Sequence, residues 1–219
     1  MDLAQRRQPP CQVSASHICR LRRRGVKKLP EYGFDFAILS LETFEGIGDA
    51  RQTMLAEIDG VLGGKRPTAS DLTRLPWTTA CIQESQRCYS AVWMIGREAV
   101  EDDVIDGHHI RKGTTVLIPS HHIHHDERWW PDPDVFDPTR FLGDAAKHRP
   151  RSAYLAFGGG RRICIGQSFA LMEMVLMAAT MSQRFTFDVA PGFPVELEAT
   201  LTLRPKNGLH VVAHRRETI

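Results

Sequence analysis

The sequence has no apolar run that approaches the roughly 20 residues a helix needs to span a bilayer, and its start has no signal-peptide core. Its five cysteines include no Cys-x-x-Cys pair, so they do not indicate a disulfide framework or a zinc ribbon. A Gly-x-Gly-x-x-Gly dinucleotide fingerprint is also missing. We therefore expect a protein of a reducing cytoplasm that has no membrane anchor.

The composition is that of an ordinary globular protein, but the charge is unevenly spread. The net charge is +2, yet residues 1–30 carry eight Lys or Arg against one acidic residue, Asp2, which leaves 20 basic and 25 acidic residues for the rest. We expect residues 1–48 to be a separate basic segment, either a solvated, disordered tail or a stretch that is not native coding sequence. Basic runs can also bind nucleic acid or anionic lipid, but we expect no nucleic-acid partner here.

The most informative stretch is residues 157–166, which read Phe-Gly-Gly-Gly-Arg-Arg-Ile-Cys-Ile-Gly. The glycines permit a sharp turn and the close approach of a flat partner. Cys164 also precedes a strongly helical segment, whose free N–H groups and dipole favour a negative sulfur over a thiol. The pattern predicts a thiolate metal ligand; the alternative is a buried cysteine in a glycine-rich turn.

This stretch resembles the haem-binding signature of the cytochrome P450 superfamily, Phe-x-x-Gly-x-Arg-x-Cys-x-Gly. Each defined position is matched, by Phe157, Gly160, Arg162, Cys164 and Gly166. The resemblance implies haem b as the cofactor, with Cys164 as the axial ligand of the iron. It further implies that Arg162 contacts a haem propionate and that Phe157 packs near the ligand loop.

Helical periodicity predicts a helix from Asp49 to the Gly63-Gly64 pair, and a second helical region capped by Ser70 or Asp71. That region is interrupted near Pro76 and runs to about Tyr89. After the cysteine motif, residues 169–179 are apolar on nearly every face, which predicts a buried helix.

The second helical region carries Glu84 and Arg87, three residues apart on one helix face. Alone, this spacing indicates no more than an exposed ion pair. Followed by Arg140 and the cysteine motif, it has the order of the same superfamily. The resemblance implies a buried ionic network of Glu84, Arg87 and Arg140 with a structural role.

Turn and strand signals predict a hairpin of residues 103–105 and 109–110 around Asp106-Gly107, followed by a strand over 114–118. Residues 129–149 are rich in proline and aspartate and resemble the family's meander, an ordered loop before the ligand cysteine. Alternation over 195–203 and the Asn207-Gly208 turn predict a hairpin at the C-terminus.

Two further positions are candidates for contact with the cofactor. Arg97 lies where the family commonly has an arginine that reaches a haem propionate; a solvated surface arginine is the alternative. In the run of residues 121–125, His124 matches the histidine of a His-Arg-Asp turn, and His125 replaces the arginine. A metal site of these histidines is a further alternative, although in a strand adjacent side chains point to opposite faces.

From about Asp49 to Arg215 the resemblance is continuous, so we expect residues 49–219 to be the C-terminal part of a haem domain. The implied fold is α+β, mainly α, with C-terminal helices, small β-sheets, the meander and the cysteine loop. The family's distal helix, with its Ala/Gly-Gly-x-x-Thr element, is not found. Glu42-Thr43 is only superficially similar to that element, so no catalytic residue is assigned.

The resemblance implies a haem-thiolate monooxygenase that inserts one oxygen atom from O2 into an apolar organic substrate. Electrons would come from NAD(P)H through a separate partner, a ferredoxin or flavoprotein reductase. The competing hypothesis is a truncated, non-enzymatic chain that binds haem weakly or not at all.

Overall fold

The computed structural model of the chain describes residues 47–192 and 194–217. The basic segment expected over residues 1–48 therefore lies outside the described residues except for its last two positions, and Glu42-Thr43 lies outside them entirely. None of the helices within the described ranges is long and apolar enough to span a membrane.

Five α-helices and four short 3-10 helices are formed by the described residues. The α-helices are α1 Ile47–Leu62, α2 Pro76–Cys88, α3 Ser120–Ile123, α4 Gly143–His148 and α5 Gln167–Ser182. The 3-10 helices are Ala69–Arg74, Pro138–Phe141, Arg151–Ala153 and Gly160–Arg162.

The first two helical regions form where the periodicity predicts them, with small corrections at their starts. Helix α1 begins at Ile47, two residues before the predicted start. The cap of the second region is Thr68, whose backbone N–H donates to the Asp71 carboxylate over 2.9 Å. The cap was expected at Ser70 or Asp71; Asp71 instead takes the reciprocal position of a capping box.

The strands form four separate antiparallel pairs. The strands are β1 Ile95–Glu98, β2 Asp103–Ile105, β3 His108–Ile110, β4 Thr115–Ile118, β5 Phe185–Val189, β6 Leu197–Ala199, β7 Leu203–Pro205 and β8 Val211–Arg215. The pairs are β1 with β4, β2 with β3, β5 with β8 and β6 with β7. The β2–β3 hairpin is as predicted, since Asp106 and Gly107 have φ of 49° and 79° and form the turn.

The C-terminal pairing differs from the prediction. The hairpin is β6–β7, and the strand that follows Asn207-Gly208 pairs with β5 instead, with Phe187 opposite Ala213. Strand β1 was not predicted at all. The pairing of β8 with β5 and the pairing of β1 with β4 each join segments that are distant in the chain. Turn signals cannot specify such pairings, because they act only between neighbouring residues.

The core lies where α1, α2 and α5 meet β5 and β8. Ile58, Leu75 and Val175 have no exposed surface within it. Helix α5 is buried along only part of its surface: Val175 and Ala179 have no exposed surface, whereas Phe169, near its start, is 65% exposed. One side of α5 packs against α2 and α1. Phe169 is left mostly exposed, five residues after Cys164 in the chain.

Candidate functional site

The cysteine loop is fixed by its own backbone. The Cys164 N–H donates to the Phe157 carbonyl oxygen over 3.0 Å, and the Gly158 N–H donates to the Leu155 carbonyl oxygen over 2.9 Å. Gly158 and Gly160 have φ of 76° and 67°, a left-handed region that glycine adopts without steric cost. The chain can therefore fold back on itself and leave Cys164 exposed.

Of the other two glycines of the loop, Gly159 is explained by close approach rather than by φ. A Cβ at Gly159 would lie 3.1 Å from Leu155 Cδ2, tighter than an ordinary contact. A Cβ at Gly166 would lie 3.8 Å from Cys164 Sγ, which is ordinary contact within the protein. Gly166 therefore keeps the space beside the sulfur open rather than relieving a clash.

Large apolar side chains surround the thiol and are exposed. Ile165 is fully exposed, and Ile163 and Phe169 are 52% and 65% exposed. An exposed apolar surface next to a sulfur donor fits a flat, largely apolar cofactor that is held through the sulfur. Arg162 is also exposed and so is free to meet an anionic edge of such a group.

The remaining predicted contacts of the cofactor lie around this loop or behind it. Phe157 is half-buried inside the loop. Arg97 is exposed on β1, and its Nη1 donates to the Gly96 carbonyl oxygen over 2.8 Å. Strand β1 runs beside the loop, because a Cβ at Gly158 would lie 3.9 Å from Ile95 Cδ1.

Behind the loop, Glu84 and Arg87 of α2 form a buried ion pair. Arg87 Nε donates to Glu84 Oε2 over 2.8 Å and Arg87 Nη2 to Glu84 Oε1 over 2.9 Å, and neither side chain has exposed surface. Arg140 Nε lies 3.4 Å from Glu84 Oε1. That third contact is an ion pair without hydrogen-bond geometry, since Nε of Arg140 has no hydrogen-bond partner among the described atoms.

The pair also holds the meander. Glu84 accepts the backbone N–H of Asp137 over 3.0 Å, and Arg87 donates to the carbonyl oxygens of His124 and Val135 over 2.8 and 3.3 Å. Burial opposes the charge of Arg87 and is the largest single influence on it. The hydrogen bonds to Glu84, together with the nearby Cys88 and the charges of Glu84 and Asp134, outweigh burial and raise the pKa of Arg87. Arg87 thus remains a cation that fixes two loop segments at once.

Residues 121–125 do not form a strand, although the sequence argument against a metal site of these histidines had assumed one. Ser120–Ile123 is a helical turn, so His121 and His125 come together with ring centroids 4.4 Å apart. Imidazoles that are adjacent in the sequence still point in different directions, but the cause is the helical turn and not strand alternation. Across the part of the chain that the structure describes, no group of three or more metal-binding side chains is found.

His124 is fully buried and turns toward the protein. Its Nε2 accepts the backbone N–H of Leu155 over 2.8 Å. Burial, together with the nearby His125 and Arg87, lowers the pKa of His124 to about 3. The ring is therefore neutral near pH 7. Its expected contact with the cofactor stays a prediction.

Several residues that shape the site carry no local sequence signal. Arg149 stacks its guanidinium 3.9 Å from the ring centroid of Trp130, and Arg87 lies 5.4 Å from that centroid. The Tyr154 hydroxyl donates to the Gln83 carbonyl oxygen over 3.2 Å. The sequence does carry one signal for the loop surface. Cys164 has an isoleucine on each side, and large apolar residues are unusual in an exposed turn.

The model of the Cytochrome P450 family matches residues 49–212. The chain belongs to the cytochrome P450 family. The prediction from the cysteine motif and the order of the Glu84, Arg87 and Arg140 positions is thereby confirmed at the level of the family.

Two curated relatives and one solved structure illustrate the match. "Putative cytochrome P450 132" of Mycobacterium tuberculosis (strain ATCC 25618 / H37Rv) is 74% identical over 167 residues, covering 76% of this chain and 36% of that protein. "Cyclooctat-9-en-7-ol 5-monooxygenase" of Streptomyces melanosporofaciens is 41% identical over 137 residues, covering 63% of this chain and 30% of that protein.

The solved structure is that of the cytochrome P450DA heme domain. It is similar with a TM-score of 0.77 and 28% identity, covering 84% of this chain and 41% of that domain's chain. The predicted mixed, mainly helical P450 fold is confirmed by this match. The chain spans about a third of the length of the curated relatives it matches.

Proposed function

We propose that this chain supplies the thiolate side of a haem-thiolate monooxygenase. The observation that carries the proposal is the exposed Cys164, presented by a glycine-shaped loop among exposed apolar side chains. Membership of the P450 family supports the same reading.

Within this proposal, each residue of the loop has a defined task. Cys164 Sγ would hold the iron of haem b, and Arg162 would pair with a propionate, with Arg97 as the second candidate. Gly160 permits the turn that presents the sulfur, and Gly166 keeps space for the cofactor beside it. Phe157 packs beneath the loop and accepts the Cys164 N–H through its carbonyl oxygen.

The ionic network of Glu84, Arg87 and Arg140 has a structural task. It ties α2 to the meander through Asp137, and so holds the chain that leads into the loop. Within the proposal these three residues do not contact substrate, and no described residue is assigned as a catalytic acid or base.

When bound, haem b supplies the iron at which O2 is activated and one oxygen atom is passed to an organic substrate. We propose an apolar small molecule as that substrate, and a ferredoxin or flavoprotein reductase that passes on electrons from NAD(P)H. The Streptomyces relative, whose name describes a 5-monooxygenase of cyclooctat-9-en-7-ol, is consistent with an apolar substrate class.

A second candidate is a chain that binds haem weakly or not at all and does not turn over by itself. The observation that favours it is the open apolar surface at Ile165 and Phe169. Exposed apolar patches of this kind promote association instead of catalysis.

The carbon monoxide difference spectrum of the haem-supplemented, dithionite-reduced chain separates the two. We expect the red-shifted band of thiolate-ligated haem in the unmodified chain and in Cys11→Ser, and its loss in Cys164→Ser. Cys11→Ser is the control for removal of a thiol outside the loop. A band that is absent from the unmodified chain would sink the proposal in favour of the second candidate. A band that survives in Cys164→Ser would also sink it, because a thiol other than Cys164 would then ligate the iron.

A further inference from the structure

His124 lies between the buried ion pair and the cysteine loop. Arg87 Nη1 donates to the His124 carbonyl oxygen over 2.8 Å, and His124 Nε2 accepts the Leu155 N–H over 2.8 Å. The Leu155 carbonyl oxygen then accepts the N–H of Gly158, the first glycine of the loop. Consecutive contacts therefore run from Arg87 to the backbone that presents Cys164.

The ring of His124 has little freedom to leave this position. It stacks on Tyr154 with ring centroids 5.4 Å apart and an interplanar angle of 24°, and its edge meets Trp130 at 6.3 Å. It has no exposed surface. Packing on both aromatic rings thus aims Nε2 at Leu155.

The protonation state of the ring follows from its partner. A backbone N–H can only donate, so Nε2 must carry the lone pair, and the proton of the neutral ring lies on Nδ1. Nδ1 is buried and has no hydrogen-bond partner within the described residues. The lowered pKa of His124 agrees with a ring that stays neutral and keeps Nε2 as an acceptor.

We propose that His124 is a positioning residue for the cysteine loop, whose neutral Nε2 fixes Leu155 and through it the start of the segment that presents Cys164. This inference rests on the proposed function, in which Cys164 ligates the haem iron. The role requires an acceptor at the place of Nε2 rather than an imidazole as such. Glutamine can offer its Oε1 there, whereas phenylalanine fills the volume and stacks but accepts nothing.

The test compares His124→Phe and His124→Gln with the unmodified chain, and uses His122→Gln as the matched control on the exposed side of the same turn. Exchange of the Leu155 amide hydrogen is measured by NMR on the haem-free and the haem-supplemented chain. Loss of one hydrogen bond should speed this exchange about 5- to 10-fold in His124→Phe. His124→Gln should restore most of the protection, and His122→Gln should leave it unchanged.

The carbon monoxide spectrum is the second readout. The share of haem in the thiolate-ligated form should fall in His124→Phe and recover in His124→Gln. Unchanged exchange at Leu155 in His124→Phe, or equal losses in the Phe and Gln variants, overturns the inference. If the unmodified chain shows no thiolate band, the proposed function fails, while Leu155 exchange still decides on His124.

A measurement on the unmodified chain covers the case in which His124→Phe does not fold. Scalar coupling across the hydrogen bond between Leu155 N and His124 Nε2, together with the ring nitrogen shifts of the Nδ1–H tautomer, is expected by NMR. The opposite tautomer, with its proton on Nε2, would overturn the inference, because Nε2 could then not accept from Leu155.

Discussion

Glu84 has no exposed surface and contacts two arginines and the backbone of the meander, so its charge is tolerable only while those partners remain. Taking a carboxylate and a guanidinium out of water costs several kcal/mol, which their mutual contact and further hydrogen bonds offset. The contacts with Arg87, Arg140 and Asp137 use both carboxylate oxygens. Removal of one partner therefore costs more than a surface ion pair is worth.

We expect Arg87→Leu to lower the free energy of unfolding by about 3 to 5 kcal/mol, because it removes the two hydrogen bonds from Arg87 to the buried Glu84 and leaves Arg140 as its remaining ion-pair partner. Urea unfolding followed by circular dichroism measures the loss. The matched control is Lys147→Leu, which breaks the exposed pair with Asp144 and should change the unfolding free energy by less than about 1 kcal/mol. Similar losses in both variants would contradict a buried network.

At the scale of elements, hydrogen bonds between a side chain of one helix and the backbone of the next stabilise the packing of α1 and α2. The free N–H groups at the start of α2 are satisfied by a side chain of α1. Glu57 accepts the N–H groups of Trp77 and Thr78 over 2.8 and 2.7 Å, and the Thr78 hydroxyl over 2.7 Å. Since Thr78 is fully buried, water cannot easily replace this carboxylate.

We expect Glu57→Ala to cost about 1 to 3 kcal/mol of unfolding free energy, the range for leaving buried donors without a partner. Glu57→Gln should cost less, because one oxygen acceptor remains although the favourable charge at the helix start is lost. Asp144→Ala, an exposed carboxylate, is the control for loss of charge alone. An equal effect of Glu57→Ala and Asp144→Ala in urea unfolding would rule out this capping role.

The helical turn α3 and the residue after it make the fold sensitive to acid. Burial, with His125 next, lowers the pKa of His121 to about 4, and burial, His125 and Arg87 lower the pKa of His124 to about 3. Unfolded histidine binds a proton near pH 6.5, while the folded rings stay neutral. The unfolded state therefore gains protons first as the pH falls below 6.5, and stability is lost on the way towards pH 4.

Between pH 6.5 and 4.5, His124→Gln should make the pH slope of the unfolding free energy smaller by about 1 kcal/mol per pH unit. The slope is measured by urea unfolding at several pH values. His122→Gln, on the exposed side of the turn, should leave the slope close to that of the unmodified chain. Identical slopes for the unmodified chain and His124→Gln would show that His124 is protonated in the folded state as readily as in the unfolded one.

For the whole molecule, the decisive feature is the apolar surface around the cysteine loop and the start of α5. Ile163, Ile165 and Phe169 lie near Cys164 in the chain and are exposed, although each is an interior type of residue. A haem in the proposed position would cover this surface. Without it, the surface is available for association of one chain with another.

We expect the haem-free chain to self-associate, and the double variant Ile165→Ser with Phe169→Ser to associate less, as measured by sedimentation velocity. Haem should reduce association of the unmodified chain in the same way. Val100→Ser, which removes another apolar side chain that is 80% exposed, is the control for a general loss of surface hydrophobicity. Equal effects of the control and the double variant would mean that the loop surface has no special part in association.

What the sequence by itself determined was local or carried by a spaced motif. The Asp106-Gly107 hairpin follows from turn chemistry, and α1 and α2 follow from apolar periodicity and their flanking glycine and proline. The ten-residue cysteine motif determined the family. Its glycines, arginine and cysteine all lie within ten consecutive residues, so the motif can be recognised without knowledge of the fold.

The tertiary structure alone decided the contacts between distant segments. Pairing of β8 with β5, the capping of α2 by Glu57 and the bond from Leu155 to His124 each join residues whose separation in the chain gives no periodic signal. The composition of α5 predicts an apolar helix, but only the structure shows that Phe169 is among its exposed residues. Local rules fix backbone conformation, whereas burial and hydrogen-bond partners depend on which surfaces finally meet.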